Sequence, residues 1–435
     1  MGSSLLFYRL ALGAARFASP VIGGRDTKLT RGLQGRVDAH GVLSRWGRAE
    51  RDPSRPCVWL HAPSVGETFQ ARAVAAELMT RQPDLQLVFT HFSPSAEAVA
   101  GRVGADVHGY LPWDLAGPIR ETLDAVRPDA VLFTKTEVWP VLASEARARG
   151  ACTGLIAATV PPDAGRMTWP ARLLLGQTWA ALDRACAIAT PDGDRLRSLG
   201  VPAEKVIVTG DPGVDSAIRR ADSAPRQARH LAPFQNESRP VIVAGSTWPT
   251  DEAVLLPALF EVKKRVPDLR VILAPHEPDT AGTRDLTSRF EAAGWSARTL
   301  SVVESTGALD GTDAILVDRV GVLAHLYHVG RVAYVGGGFH DAGLHSVLEP
   351  AAARVPIVFG PRHVNAKAAS DLLSASGAVE IRDSEGLAGA LEKWLLDDAA
   401  HDYAASRAFG YIDAHRGAAE RTADAVIDLL PSHSV

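Results

Sequence analysis

Cysteine is scarce. Cys57, Cys152 and Cys186 are the only three in 435 residues, odd in number and without CxxC spacing, so neither a disulfide framework nor a zinc site is supported and a reducing compartment fits. A surplus of positive charge is missing too, since 46 Lys and Arg face 50 Asp and Glu for a net charge of -4. That balance excludes the global basic field of a nucleic-acid binder and makes any anion site a local one. Short-period repeats and low-complexity tracts are absent. So is an uninterrupted apolar run of the roughly 20 residues that a membrane-spanning helix requires. The opening MGSSLLFYRLALGAARFASPVIGG comes nearest, but Arg9 and Arg16 break it. Those arginines share one helical face, and Leu5, Leu6, Leu12 and Phe17 supply apolar surface. The pattern suits a membrane-associating interfacial helix over residues 1–30, and equally a terminal helix packed on the protein's own core. Charges inside the stretch, not before it, argue against a signal peptide.

What is present is ample core material: hydrophobic residues make up 46% and charged residues 22%. The length suggests more than one domain. The runs CVWLHA, LQLVFTH, AVLFTK, CTGLIAA, ACAIAT and VIVTG alternate with helical patterns such as FQARAVAAELMTRQP, and strand–helix alternation implies a parallel sheet. PVIVAG, RVILAP, AILVD, VAYVGG and VPIVFG repeat the theme in the second half. The intervening PGVDSAIRRADSAPRQARHLAPFQNESRP is polar and reads as a linker with a short helix. The expectation is α/β, with two doubly wound domains, 31–215 and 216–410, followed by a C-terminal helix over 411–435.

Open parallel sheets bind ligands at the carboxyl ends of their strands. Those ends hold HAPSVGE, THFSPS, TKTEVWP, AGSTWPTDE, APHEP and VGGGFHDAGLHSVLE. In AGSTWPTDE, Ser246 and Thr247 stand where a helix opens, suited to an anion or to plain N-capping; the GxxxxGK[ST] spacing of a P-loop is absent. Gly336 to Gly338 allow close backbone approach before His345, Ser346 and Glu349. Backbone amides for a phosphate, a hydroxyl or imidazole for an oxygen and a carboxylate for ribose hydroxyls would serve a mononucleotide; packing glycines and a capping Ser346 are the alternative. The glycines do not form GxGxxG. His276 and Glu277, and Asp318 with Gly321, occupy further strand ends. Glu67 and Glu137 lie in the first half. Each is either electrostatic support, near a helix start or beside Lys135, or a carboxylate suited to deprotonating a sugar hydroxyl.

From about Val58 to Gly377 these segments, with FSPS, YLPWD, VTGD, VDRVGVLAHLY, LHSVLEPAA and VPIVFGPRHVNAK in order, resemble the 3-deoxy-D-manno-octulosonate (Kdo) transferases. The resemblance implies the GT-B fold: two Rossmann-like domains with an interdomain cleft, the N-terminal one binding the acceptor and the C-terminal one the nucleotide sugar. It implies an inverting glycosyltransferase that moves Kdo from CMP-Kdo to a lipid A precursor (lipid IVA) in lipopolysaccharide biosynthesis, without a cofactor or metal. Its place would be the cytoplasmic face of the bacterial inner membrane, anchored or peripheral. It carries general-base catalysis onto Glu67 and a second catalytic carboxylate onto Glu137. CMP contacts fall on Pro275 and His276, on Val320, Gly321, Val322 and Leu323, and on Ser346, Val347, Leu348 and Glu349, with Ser246 and Thr247 nearby. The chain departs from the family's pattern at His276, where many members have Arg, at Gly321–Val322, where they have Gly-Glu, at Leu344–Ser346, where they have Gly-His-Asn, and at Gly213, where they have a basic residue. Those departures leave open a GT-B transferase or epimerase using another nucleotide sugar, such as a UDP-sugar, or a catalytically lapsed nucleotide-binding relative.

Overall fold

Strands form where the apolar runs promised them, and each is parallel to its neighbours. In the first half these are β1 (Cys57–His61), β2 (Gln86–His91), β3 (Val107–Tyr110), β4 (Ala130–Thr134), β5 (Cys152–Ala158), β6 (Arg184–Ala187) and β7 (Val206–Val208), in the order β3-β2-β1-β4-β5-β6-β7. In the second they are β8 (Val241–Thr247), β9 (Arg270–Pro275), β10 (Ala297–Thr299), β11 (Ala314–Leu316), β12 (Val332–Val335), β13 (Ile357–Phe359) and β14 (Ala378–Glu380), in the order β10-β11-β9-β8-β12-β13-β14. The computed structural model describes residues 28–161, 165–223 and 228–431. The expected membrane-associating segment lies outside them except for 28–30, which open the helix Lys28–Ala49.

Three strands were not announced by an apolar run: β3, β10 and β14. All are edge strands of three or four residues, and solvent reaches part of each. A strand covered on both faces must be apolar throughout, whereas an edge strand need not be. Central β1 and β4 are buried at every position.

Alternate residues serve opposite faces. Cys57 and Trp59 join a core with helices Lys28–Ala49, Ala116–Val126, Pro140–Arg147, Trp169–Ala180 and Thr190–Leu199. Val58 and Leu60 join one with helices Val65–Arg81, Pro94–Ala100 and Ala418–Ile427. In the second sheet Ile242 and Ala244 face helices Pro249–Arg265, Thr280–Ala292, Ser384–Leu396 and Asp398–His415, while Val241 and Val243 face Leu300–Thr306 and Leu323–Leu326.

Strand register is fixed at the amino edge by aspartates that immediately precede a strand. Asp129, before β4, accepts the Cys57 N–H of β1 at 2.7 Å; Asp106, before β3, accepts Leu87 N–H of β2 at 2.7 Å. Asp183, before β6, accepts Thr153 N–H of β5 at 2.8 Å, and Asp313, before β11, accepts Ser296 N–H at 3.1 Å. Each carboxylate satisfies an amide that the ladder leaves over.

The chain divides into two units: one comprises residues up to Ser216 and from Arg416 onward, the other Ala217–His415. The single C-terminal helix expected over 411–435 is therefore corrected. Residues 411–415 complete Asp398–His415 of the second unit, and Ala418–Ile427 belongs to the first. Its apolar residues Ala423 and Val426 share a core with Leu78, Arg81 pairs with Glu420 and Asp424 at 2.8 Å each, and Asp215 accepts the N–H groups of Gly417 (2.6 Å) and Ala419 (2.8 Å). The sequence shows that this helix has an apolar face, but not which core that face joins.

Strand order reverses between β1 and β4 in one sheet and between β8 and β12 in the other, so their carboxyl ends are the topological switch points where such sheets hold ligands. Replacing the cap of the returning helix, Asp215→Ala, is expected to lower stability by about 2 kcal/mol, the worth of charge-assisted bonds to backbone amides; urea unfolding with an unchanged midpoint would contradict it.

Candidate active site

At the first switch point β1 ends at His61 and the chain turns through Ala62–Ser64 into helix Val65–Arg81. Pro63 O fixes the turn by accepting Ser93 N–H at 2.8 Å and Phe92 N–H at 3.3 Å. Ser64 and Glu67 have capping-box spacing, yet the Ser64 side chain makes no cap bond. Glu67 reaches Lys135 instead, with Nζ 2.8 Å from Oε1. The glutamate is only 8% exposed, and its Oε2 is buried without a hydrogen-bond partner. Lys135 is the residue after β4 and has φ 58, a left-handed conformation costly for a side chain with a Cβ. Glu137 is half-buried on the connection from β4 to helix Pro140–Arg147. Glu67 and Glu137 thus occupy the ends of adjacent strands.

Buried polar groups hold this edge. The Trp139 indole N–H donates to His61 Nε2 at 3.0 Å, so the imidazole proton sits on Nδ1, 3.0 Å from Thr90 Oγ1, which also accepts the Trp59 indole N–H at 2.9 Å. Burial, reinforced by the Arg36 charge, drives the His61 pKa down to about 3. Trp139 stacks on Phe92 with ring centroids 5.5 Å apart, and the Arg36 guanidinium lies 4.1 Å from the Phe92 ring centre. Asp114, fully buried, accepts the N–H groups of Val141 (3.0 Å) and Leu142 (2.7 Å), anchoring the helix that follows Glu137. One turn beyond Glu67, Gln70 donates to Asp211 at 2.7 Å. Sequence reading missed Lys135 as Glu67's partner, together with His61, Asp114 and Gln70, because every one of these bonds joins segments far apart in the chain.

At the second switch point, Asp251 is the hub. Fully buried, it accepts the N–H groups of Trp248 (2.9 Å), Gly337 (2.8 Å) and Phe339 (3.3 Å) and the Tyr334 hydroxyl (3.1 Å). At the start of the helix in AGSTWPTDE the protein's own carboxylate takes the Trp248 amide. The Thr247 hydroxyl donates to Glu252 at 3.1 Å, and burial holds that carboxyl above its ordinary pKa range. Ser246, at φ 56, turns the strand end toward the helix. Gly336 to Gly338 serve packing: a Cβ on Gly336 would collide with Ser246 O, on Gly337 with Gly343 O and on Gly338 with the Gly360 backbone.

The remaining predicted residues divide. Pro275 ends β9, and His276 N–H donates to Thr247 O at 2.9 Å, which joins APHEP to AGSTWPTDE. Trp248 gathers three imidazoles: His340 and His276 stack on it at 4.0 and 4.5 Å, and His345 Nε2 accepts its indole N–H at 3.1 Å. His276 lies 4.4 Å from His345, centroid to centroid. Glu349 pairs with Arg220 at 2.7 Å and accepts the Ser346 hydroxyl. Val347 and Leu348 are buried and belong to the packing. Val320 is exposed, Gly321 turns at φ 93, Val322 is buried, and Leu323 opens a short helix. Beneath that helix a Cβ at Gly245 would strike Leu323 and the Tyr327 hydroxyl, so the VDRVGVL turn sits against β8.

Burial pushes the His345 pKa down to about 4, with the neighbouring His276 acting in the same direction. His61 and His345 both stay neutral when folded, while their unfolded counterparts protonate near pH 6.5. Below that pH the unfolded chain binds more protons, so stability is lost as pH falls from 6.5 toward 4, by up to about 1.4 kcal/mol per pH unit for each imidazole. Urea midpoints should fall between pH 7 and pH 5, and His345→Asn should flatten the dependence; an unchanged slope in that variant would contradict the assignment.

Among the described residues no helix is long and apolar enough to cross a membrane. The 3-deoxy-D-manno-octulosonic-acid transferase (kdotransferase) family description matches residues 40–216. The 3-deoxy-D-manno-octulosonic acid transferase of Bordetella pertussis is 30% identical over 403 residues, covering 89% of this chain and 91% of that protein. The enzyme of the same name from Haemophilus influenzae is 26% identical over 407 residues, covering 93% of each. Among solved structures, the UDP-GlcNAc 2-epimerase of Neisseria meningitidis, bound to UDP-GlcNAc, superposes with a TM-score of 0.62 at 14% identity, covering 86% of this chain and 100% of that one, a likeness of fold. Two seven-stranded parallel sheets with strand-end sites, carried on a sequence similar to these transferases over nearly its whole length, make the chain a GT-B glycosyltransferase belonging to the 3-deoxy-D-manno-octulosonic acid transferase family.

Proposed function

We propose that the chain is an inverting transferase that moves Kdo from CMP-Kdo to a glucosamine hydroxyl of a lipid A precursor such as lipid IVA. The observation that carries this reading is Glu67: a buried carboxylate at a switch point, held through one oxygen, with the other unpartnered. The Glu67 carboxylate takes the proton of the acceptor hydroxyl as the hydroxyl oxygen attacks C2 of Kdo. The bond from C2 to the phosphate oxygen breaks, and CMP leaves with the electron pair. Glu137, at the end of the adjacent strand, is the second carboxylate of the reaction.

CMP belongs to the second unit in this proposal. His276 and Ser246–Thr247 flank the phosphate, Glu349 accepts ribose hydroxyls, and the turn Val320–Leu323 borders the nucleoside. Arg220 and Ser346 hold Glu349 from two sides while its carboxylate retains further lone pairs for a diol. The reaction so written calls for no metal. Its acceptor is lipid-linked, so the enzyme works at the cytoplasmic face of the inner membrane, with the segment before residue 28 as the attachment.

Incubation with CMP-Kdo, generated in place, and a tetraacylated lipid A precursor is expected to raise the acceptor mass by one or two Kdo units. Glu67→Gln should lower kcat by at least about 10²-fold, the usual scale of general-base catalysis, while CMP binding persists. A near-wild-type rate in that variant would refute the assignment.

A further inference from the structure

We propose that Lys135 is the positioning residue for Glu67: its ammonium fixes one carboxylate oxygen and so sets the orientation of the base. This inference rests on the reading of Glu67 as the base and adds a residue to that machinery.

Three observations converge. A glutamate at the third position of a helix would ordinarily fold back onto the N-cap amide, but here Ser64 leaves the capping box unmade and Glu67 extends to Lys135 Nζ at 2.8 Å. The pair is asymmetric in exposure: the Lys135 side chain is 38% accessible and that of Glu67 11%, so the cation stands toward solvent and the carboxylate behind it. The lysine backbone is also held in place for this reach. Lys135 N–H donates to Ile156 O at 2.9 Å, tying it to β5, and φ is 58, where glycine would be the easy choice if the chain needed only to turn.

Energetically, a carboxylate buried without a partner is held poorly and hydrates or rotates away. An ammonium on Oε1 removes that freedom and holds the carboxylate in one orientation. Lysine contributes by charge and reach; it need not touch either sugar.

Three variants test this alongside Glu67→Gln. Lys135→Met should lower kcat about tenfold or more, with KM for both substrates within about twofold and CMP binding unchanged. Lys135→Arg, which keeps the charge and the reach, should regain most of that loss. Lys135→Gly removes the left-handed strain, so its melting temperature should match or exceed the wild type's while its kcat falls as far as that of Lys135→Met. The double variant Glu67→Gln/Lys135→Met should be no slower than Glu67→Gln alone, since the two residues act as one unit.

The outcomes separate. If Glu67→Gln keeps its rate, the base assignment itself falls. If Glu67→Gln is slow and Lys135→Met turns over normally, only the positioning role is overturned. If the Lys135 variants lose melting temperature and kcat in proportion, Lys135 is structural and the proposal is likewise overturned.

Discussion

An all-parallel sheet imposes one constraint from which the rest follows: every strand starts at the same edge and every crossover returns to it, so one edge is free for fixing register and the other for chemistry. Here the starting edge is clamped by Asp106, Asp129, Asp183 and Asp313, each reaching sideways to an amide at the start of the adjacent strand. A slip of one residue would break those bonds and turn every buried side chain to the opposite face. Pairings such as Leu60 with Phe89 and with Leu132 are set this way. The positions of the loops at the far edge inherit that accuracy.

At the far edge, carboxylates again organise the backbone, and counting what each one holds separates scaffold from reactive group. Asp251 takes three amides and a hydroxyl, Asp114 two amides, and Asp211 a backbone amide and the Gln70 side chain. Such groups are committed: protonating or moving one would undo several bonds at once, which suits a fixed scaffold and disqualifies a proton carrier. Glu67 differs. It is buried but keeps a single partner, and its Oε2, like Gln70 Oε1 and Asp318 Oδ1, is buried without a hydrogen-bond partner, at a cost to folding.

Much of this was legible in the sequence. Central strands declared themselves because burial on both faces demands unbroken apolar runs, and the segments at their ends were correctly placed as loops entering helices. Edge strands β3, β10 and β14 were not legible, since short part-exposed runs such as Ala297–Thr299 carry no pattern, whereas edge strand β7 showed in VIVTG. The glycines of VGGGF were visible but their reason was not: whether a missing Cβ makes room for a phosphate or for Ser246 O depends on backbone brought from elsewhere. Thr247 looked like a cap or an anion contact, and its hydroxyl goes to Glu252, five residues on. The return of Ala418–Ile427 to the first unit, the Lys135–Glu67 pair and the gathering of His276, His340 and His345 around Trp248 all join residues tens to hundreds of positions apart. Composition and periodicity report local demands; they are silent on which distant segment satisfies them.

The imidazoles bear on how a negatively charged ligand is held. Arginines near the carboxyl edge of the second sheet are already paired: Arg220 with Glu349, Arg319 with Glu304, Arg362 with Asp341. Beside Trp248 stand imidazoles instead, with His345 kept uncharged by burial down to about pH 4. A neutral imidazole binds a phosphate oxygen through one directed N–H, so its contribution depends on ring orientation far more than that of a guanidinium, whose several donors and full charge tolerate displacement. Orientation is what the tryptophan supplies: two rings lie flat against it and the third is fixed through its indole N–H. Asp251 in turn fixes Trp248 through its backbone amide, and the same carboxylate holds Gly337, just past the end of the neighbouring strand β12. In the proposed CMP site, recognition therefore rests on a rigid stack built upon one buried carboxylate, and where bound charge is met by oriented donors, specificity follows the shape of the ligand closely.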